Sequence, residues 1–124
     1  MVICDQFWGS TMKRKRSLPK KIKIGHADYK IRHVSKKSNG AKLKDLGECD
    51  YVNQVITLFG NQAPSELSDS LCHEIFHGLI QTFNIPFKNA REEEKYVRHF
   101  TGMMITLFKD NPELLRYLDS VLHP

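Results

Sequence analysis

The residues with most chemistry in this sequence are His73-Glu74-Ile75-Phe76-His77, the pattern His-Glu-x-x-His. On a helix of ~3.6 residues per turn, side chains four apart lie on one face. His73 and His77 could therefore aim two imidazoles at a single ion, and that ligand pair suits Zn2+. Glu74, directly after the first histidine, is placed to reach a water on the ion rather than the ion itself, which is the position of a general base. The plainer account is two unrelated histidines with a helical acid between them. A charged Glu74 flanked by apolar residues needs a partner, and a metal site would supply one.

A catalytic zinc takes three protein ligands and keeps a fourth place open. The third must come from later in the chain, where Glu92, Glu93, Glu94 and His99 are available. Glu93 precedes Tyr96, Val97 and Phe100 by three, four and seven residues, so it shares their inward face. Glu92 suits a capping position, Glu94 is rotated toward solvent, and His99 lies about 240° round the helix from Glu93. The reading favours Glu93 as third ligand, with Glu94 next because helix phase read from sequence can slip by one residue. Three acids in a first turn would also complement a helix dipole with no metal present.

These side chains need helices to hold them. Ser65 as N-cap and Glu66 in the first turn open one, and Asn84 with Ile85-Pro86 ends it after about Phe83. Leu67, Leu71, Ile75, Gly78 and Leu79 form its apolar stripe, widened by Phe76, Ile80 and Phe83, so it reads as the central helix. A second helix starts from Asn89 with Glu92 as a capping-box acid, and carries Tyr96, Val97, Phe100, Met103, Met104, Leu107 and Phe108 inward. Asp110-Asn111-Pro112 stops it and starts a third, with Leu114, Leu115, Leu118, Val121 and Leu122 at helical spacing.

Before the helices the period changes to two. Lys21-Ile22-Lys23-Ile24 and Tyr29 to Val34 alternate around a turn at Gly25 to Asp28, a hairpin with Ile22, Ile24, Tyr29, Ile31 and His33 or Val34 on its faces. Ser35 to Lys44, with Asn39-Gly40, reads as a loop. Leu46 to Tyr51 and Val55 to Phe59 are two more strands about a turn at Val52-Asn53-Gln54. The expectation is one α+β domain over residues 21–124: an antiparallel sheet of about three to four strands, then three helices. Residues 1–20 read as a basic, loosely held arm.

The whole chain is 124 residues, enough for one modest core but not for a catalytic and a separate recognition domain. No apolar run approaches the ~18 residues of a membrane span. The N-terminal Met1 to Trp8 is apolar but has no basic segment before it, unlike a secretion signal. Met12, followed at once by Lys13-Arg14-Lys15-Arg16, is a candidate for the true start. Three widely spaced cysteines, Cys4, Cys49 and Cys72, favour neither a disulfide framework nor a cysteine zinc site, and point to a reducing cytoplasm. From Lys13 to Lys44 thirteen Lys/Arg face one acid, and from Asp45 onward six face twelve. The basic third could make weak contact with nucleic acid, although a solvated tail and sheet face explains it as well.

With these pieces in order, the chain resembles the small phage-encoded zinc-metallopeptidase-like proteins of the ImmA/IrrE type. The matching stretches are Gly47-Glu48-Cys49-Asp50-Tyr51 with Gln54-Val55-Ile56, Leu71 to His77, and Glu93-Glu94 through Gly102 to Asp110-Asn111-Pro112-Glu113-Leu114-Leu115. Glu94-Lys95-Tyr96 and Phe100-Thr101 depart from the family's usual Glu-Ala and Phe-Ala. The resemblance implies a minimal zincin-like domain in the host cytoplasm, with His73 and His77 as zinc ligands, Glu74 as base, and Glu93 or Glu94 as third ligand. It implies hydrolysis of a protein substrate, with Tyr96, His99 and Tyr117 available to stabilise an oxyanion. The alternative is a non-catalytic module of the same fold that grips a protein regulator or nucleic acid.

Overall fold

A computed structural model describes residues 17–35 and 46–124. The stretch at Met12 to Arg16 and the loop through Asn39-Gly40 lie outside the described residues. Four strands come first: β1 (Lys21–Ile24), β2 (Ala27–Val34), β3 (Gly47–Asp50) and β4 (Val55–Phe59). Three helices follow: α1 (Pro64–Thr82), α2 (Ala90–Asp110) and α3 (Pro112–Leu122). The α+β order stands as read from the sequence.

The sheet order is β1-β2-β4-β3. The hairpin turn is tighter than the sequence suggested: Ile24 pairs Ala27, so only Gly25 and His26 make the bend. Gly25 sits at φ +62, a conformation that suits a residue without Cβ. One pairing departs from an all-antiparallel sheet. β4 runs parallel to β2, Ile31 beside Ile56 and His33 beside Leu58, and antiparallel to β3. The chain leaves β2, forms β3 at the far edge, then folds back to insert β4 in the middle, so the sheet is mixed.

That central position explains why β4 is almost wholly apolar. Ile56 and Leu58 are fully buried, and Phe59 nearly so. Alternation sends Ile24, Ala27, Tyr29, Ile56 and Leu58 to the helical side, where Leu71 meets them and Leu67, Ile75 and Leu79 pack alongside. Of the two residues left open at the end of β2, Val34 is half-buried, whereas His33 is exposed with Nε2 2.9 Å from the Gly60 carbonyl. The folded part also begins earlier than residue 21. Leu18 packs on the core and Lys20 O accepts from Ile31 N.

α1 lies between the sheet and α2, touching β1, β3 and β4 on one side. Gly78 sets how closely it approaches: a Cβ there would stand 2.9 Å from Ile24 Cδ1 and 3.7 Å from Cys49 Sγ. The helix starts at Pro64, not after Ser65. Proline at the first helical position needs no N–H partner, and Glu66 reaches back to Ala63 N at 3.1 Å. Phe83, expected to widen the buried stripe, is 63% exposed because the helix has ended and Asn84 turns away at φ +52.

α2 caps as its sequence indicates. The Asn89 side chain accepts from Glu92 N at 2.9 Å, and Glu92 takes the N–H of Lys88 at 3.4 Å. Its inward face is rotated from the expected one: Val97 and Thr101 are buried, while Tyr96, Phe100, Met103 and Leu107 are exposed. Among the described residues α3 touches α2 alone and buries no residue. No helix among the described residues is long and apolar enough to cross a membrane.

Candidate metal centre

The apolar spacing of α1 turns Leu71 and Gly78 toward the sheet and leaves His73 and His77 facing α2. There the first turn of α2 brings two consecutive acids to them. His73 Nε2 lies 2.7 and 2.9 Å from the two carboxylate oxygens of Glu94. His77 Nε2 lies 3.3 Å from Glu94 Oε1 and 3.3 Å from His73 Nε2, with the two rings edge-on at 68°. On the other side of the same ring, His77 Nδ1 donates to Glu93 Oε2 at 2.6 Å.

The two glutamates therefore have different places. Glu94, rather than the favoured Glu93, shares a point with both Nε2 atoms. Glu93 holds the opposite nitrogen of His77, and in doing so keeps the proton on Nδ1 and turns the Nε2 lone pair toward that shared point. One residue of helix phase separates the two roles, and the long glutamate side chains let neighbours on the helix reach opposite sides of one imidazole.

Among the described residues, His73, His77 and Glu94 form the one group able to hold a metal, with ligand atoms all within 4.8 Å of one another. The donor set fits zinc. A tetrahedron with metal–ligand bonds of ~2.0–2.1 Å has edges of about 3.3 Å, and two of the three edges here are 3.3 Å. The third, 2.7 Å, is an ordinary hydrogen-bond length.

Glu74 is buried one residue further round α1, with its carboxylate against the start of β3. A Cβ on Gly47 would stand 3.1 Å from Glu74 Cγ and 3.3 Å from its Oε2. A side chain there would press on the carboxylate and its stem, so glycine leaves Glu74 the room it occupies. His73, Glu74 and Glu94 open on one cleft of about 610 Å³, walled by Leu46 and Gly47 of the sheet edge and by Arg98, Thr101 and Gly102 of α2.

None of the three oxyanion candidates named from sequence comes to this cleft wall. Tyr96 is stacked between Phe87 and Phe100. His99 is exposed with Nδ1 on the Lys95 carbonyl, and Tyr117 is exposed on α3. A fourth residue, not among those candidates, does feel the site. Tyr51, just past β3, has its phenol pushed well above the ordinary range by burial, then by Cys49 and by the carboxylates of Glu93 and Glu74. It stays protonated, hence a donor. Its only signal in the sequence is position: it follows the strand whose first residue touches Glu74.

Compared with known protein families, curated proteins and solved structures, the chain matches none.

Proposed function

We propose that the protein is a zinc-dependent peptidase in which His73, His77 and Glu94 hold the metal and Glu74 is the general base. The observation that carries this reading is the convergence of three ligand atoms within 4.8 Å beside a buried glutamate at one cleft. When bound, zinc supplies a Lewis acid to the scissile carbonyl and lowers the pKa of a water toward ~7. Glu74 takes the proton from the attacking water and returns it to the leaving amine, a transfer its burial beside Gly47 favours by keeping bulk water from competing. Glu93 fixes the His77 tautomer throughout. Tyr51, whose phenol feels the carboxylates of Glu93 and Glu74, is the candidate donor to the developing oxyanion.

An extended substrate has a place to bind. Among the described residues β3 pairs with β4 alone, at the edge of the sheet, and its first residue lines the cleft. Backbone hydrogen bonds along Gly47–Asp50 would seat a peptide across Glu74 with little demand on its side chains. The test is Glu74→Gln in the full chain, measured by zinc content and by proteome-wide cleavage. Loss of every wild-type cleavage with zinc retained supports the reading. Cleavage that persists in the variant refutes Glu74 as base, and a wild type that cleaves nothing refutes peptidase activity.

A further inference from the structure

The helical layer has a second face that the site does not use. Val97 and Thr101 turn α2 toward α1. On the other side Tyr96, Phe100, Met103 and Leu107 are 44%, 48%, 64% and 50% exposed. Their spacing of four, three and four is the alternation of a helix–helix seam, not of a solvated face. Tyr96 and Phe100 stack on one another with ring centroids 6.1 Å apart, so the start of this seam is already rigid.

α3 continues the same character. It is 11 residues long, touches only α2 among the described residues, and leaves Leu115, Val121 and Leu122 between 39% and 69% exposed. A helix this short is marginal in water unless an apolar face is covered. At roughly 200 Å² for a large side chain, the exposed surface of these residues of α2 and α3 comes to about 700 Å². A lone apolar patch on a monomer reaches about 300–600 Å². About 800 Å² is what each partner gives to a standard interface.

Charge selects the partner. Residues 90–124 carry five Lys/Arg and six Asp/Glu, against thirteen bases and one acid from Lys13 to Lys44. An anionic partner would be drawn to the basic third, and a lipid surface favours a helix whose polar face is basic. A near-neutral face with a helical seam suits another of its own kind, since two copies related by a two-fold axis present no net like-charge repulsion. We infer that the protein is a homodimer joined through the outer face of α2 and α3. The seam begins at Tyr96, two residues past Glu94, so the interface braces the helix that carries Glu93 and Glu94.

The test is the mass of the full chain by sedimentation or light scattering across the micromolar range, under reducing conditions that keep Cys49 and Cys72 free. Wild type should run at twice the chain mass. Met103→Lys and, separately, Val121→Glu should shift it to the single-chain mass with unchanged helical circular dichroism, because both side chains are more than half exposed in one subunit. A wild type at any mass other than two chains overturns the inference. So does a dimer that survives both substitutions.

Discussion

Exchanging Glu93 and Glu94 for glutamine, one at a time, separates a ligand from the residue that orients a ligand. Glu94 Oε1 stands 2.7 and 3.3 Å from the two Nε2 atoms. Glu94→Gln removes the only anion at that point and leaves a weak amide donor facing two imidazoles. Glu93 meets only His77 Nδ1, at 2.6 Å, on the far side of the ring. Loss of such an outer partner costs about 10–100-fold in metal affinity, or roughly 1.4–2.8 kcal/mol at 1.4 kcal/mol per tenfold. Glu93→Gln should fall near the lower end, because its amide oxygen can still accept from Nδ1. Glu94→Gln should exceed the upper end. Zinc affinity measured by competition with a chromophoric chelator ranks the two, with Glu74→Gln as a control that binds near wild type. If Glu93→Gln loses more affinity than Glu94→Gln, the assignment of roles is wrong.

Tyr51→Phe should lower kcat by about 100-fold or more, the usual loss for one oxyanion donor, with zinc content unchanged; an unaltered kcat removes Tyr51 from the chemistry. Gly78→Ala drives a methyl against Ile24 Cδ1, 2.9 Å away, and should destabilise the fold by about 1–3 kcal/mol as overpacking does, read from urea midpoints. Cys49 has its thiol pushed up to about 12, by burial first and then by Glu74 and Asp50. It should therefore resist alkylation in the folded protein near pH 8. Since its folded value lies above that of an unfolded thiol, its contribution to stability is complete below the unfolded value, ~8.5, and is lost as pH rises toward 12. Rapid alkylation of native Cys49, or stability that does not decline through that window, would contradict this environment.

The sequence showed most of what local chemistry decides. Asn89 and Glu92 cap α2 as their types demand, and the β1–β2 hairpin follows its alternation. His73 and His77 face one way because both lie on the polar flank of an otherwise apolar helix. What it hid were matters of partner and phase. Alternation tells which face of Val55 to Phe59 is buried but not which strand lies beside it, so the parallel β2–β4 pairing was beyond reach. α2 carries two apolar stripes, and a sequence with two candidate inward faces cannot say which one meets α1. Choosing the outer stripe placed Glu93 at the ligand point. The buried Thr101, a polar residue on the true inward face, was the feature that concealed the other.

Among the described residues, α2 touches only α1 and α3, and α3 touches only α2. The His73–Glu94 and His77–Glu93 contacts therefore sit at the single junction joining the C-terminal helical pair to the rest of the fold. A metal bound at that junction would be a cross-link as well as a reagent. Its binding free energy enters the docking equilibrium of α2 and α3 directly, growing as RT ln(1 + [L]/Kd). Amide exchange would register this as protection spreading along Ala90–Leu122 on zinc addition, with the β4 amides unmoved.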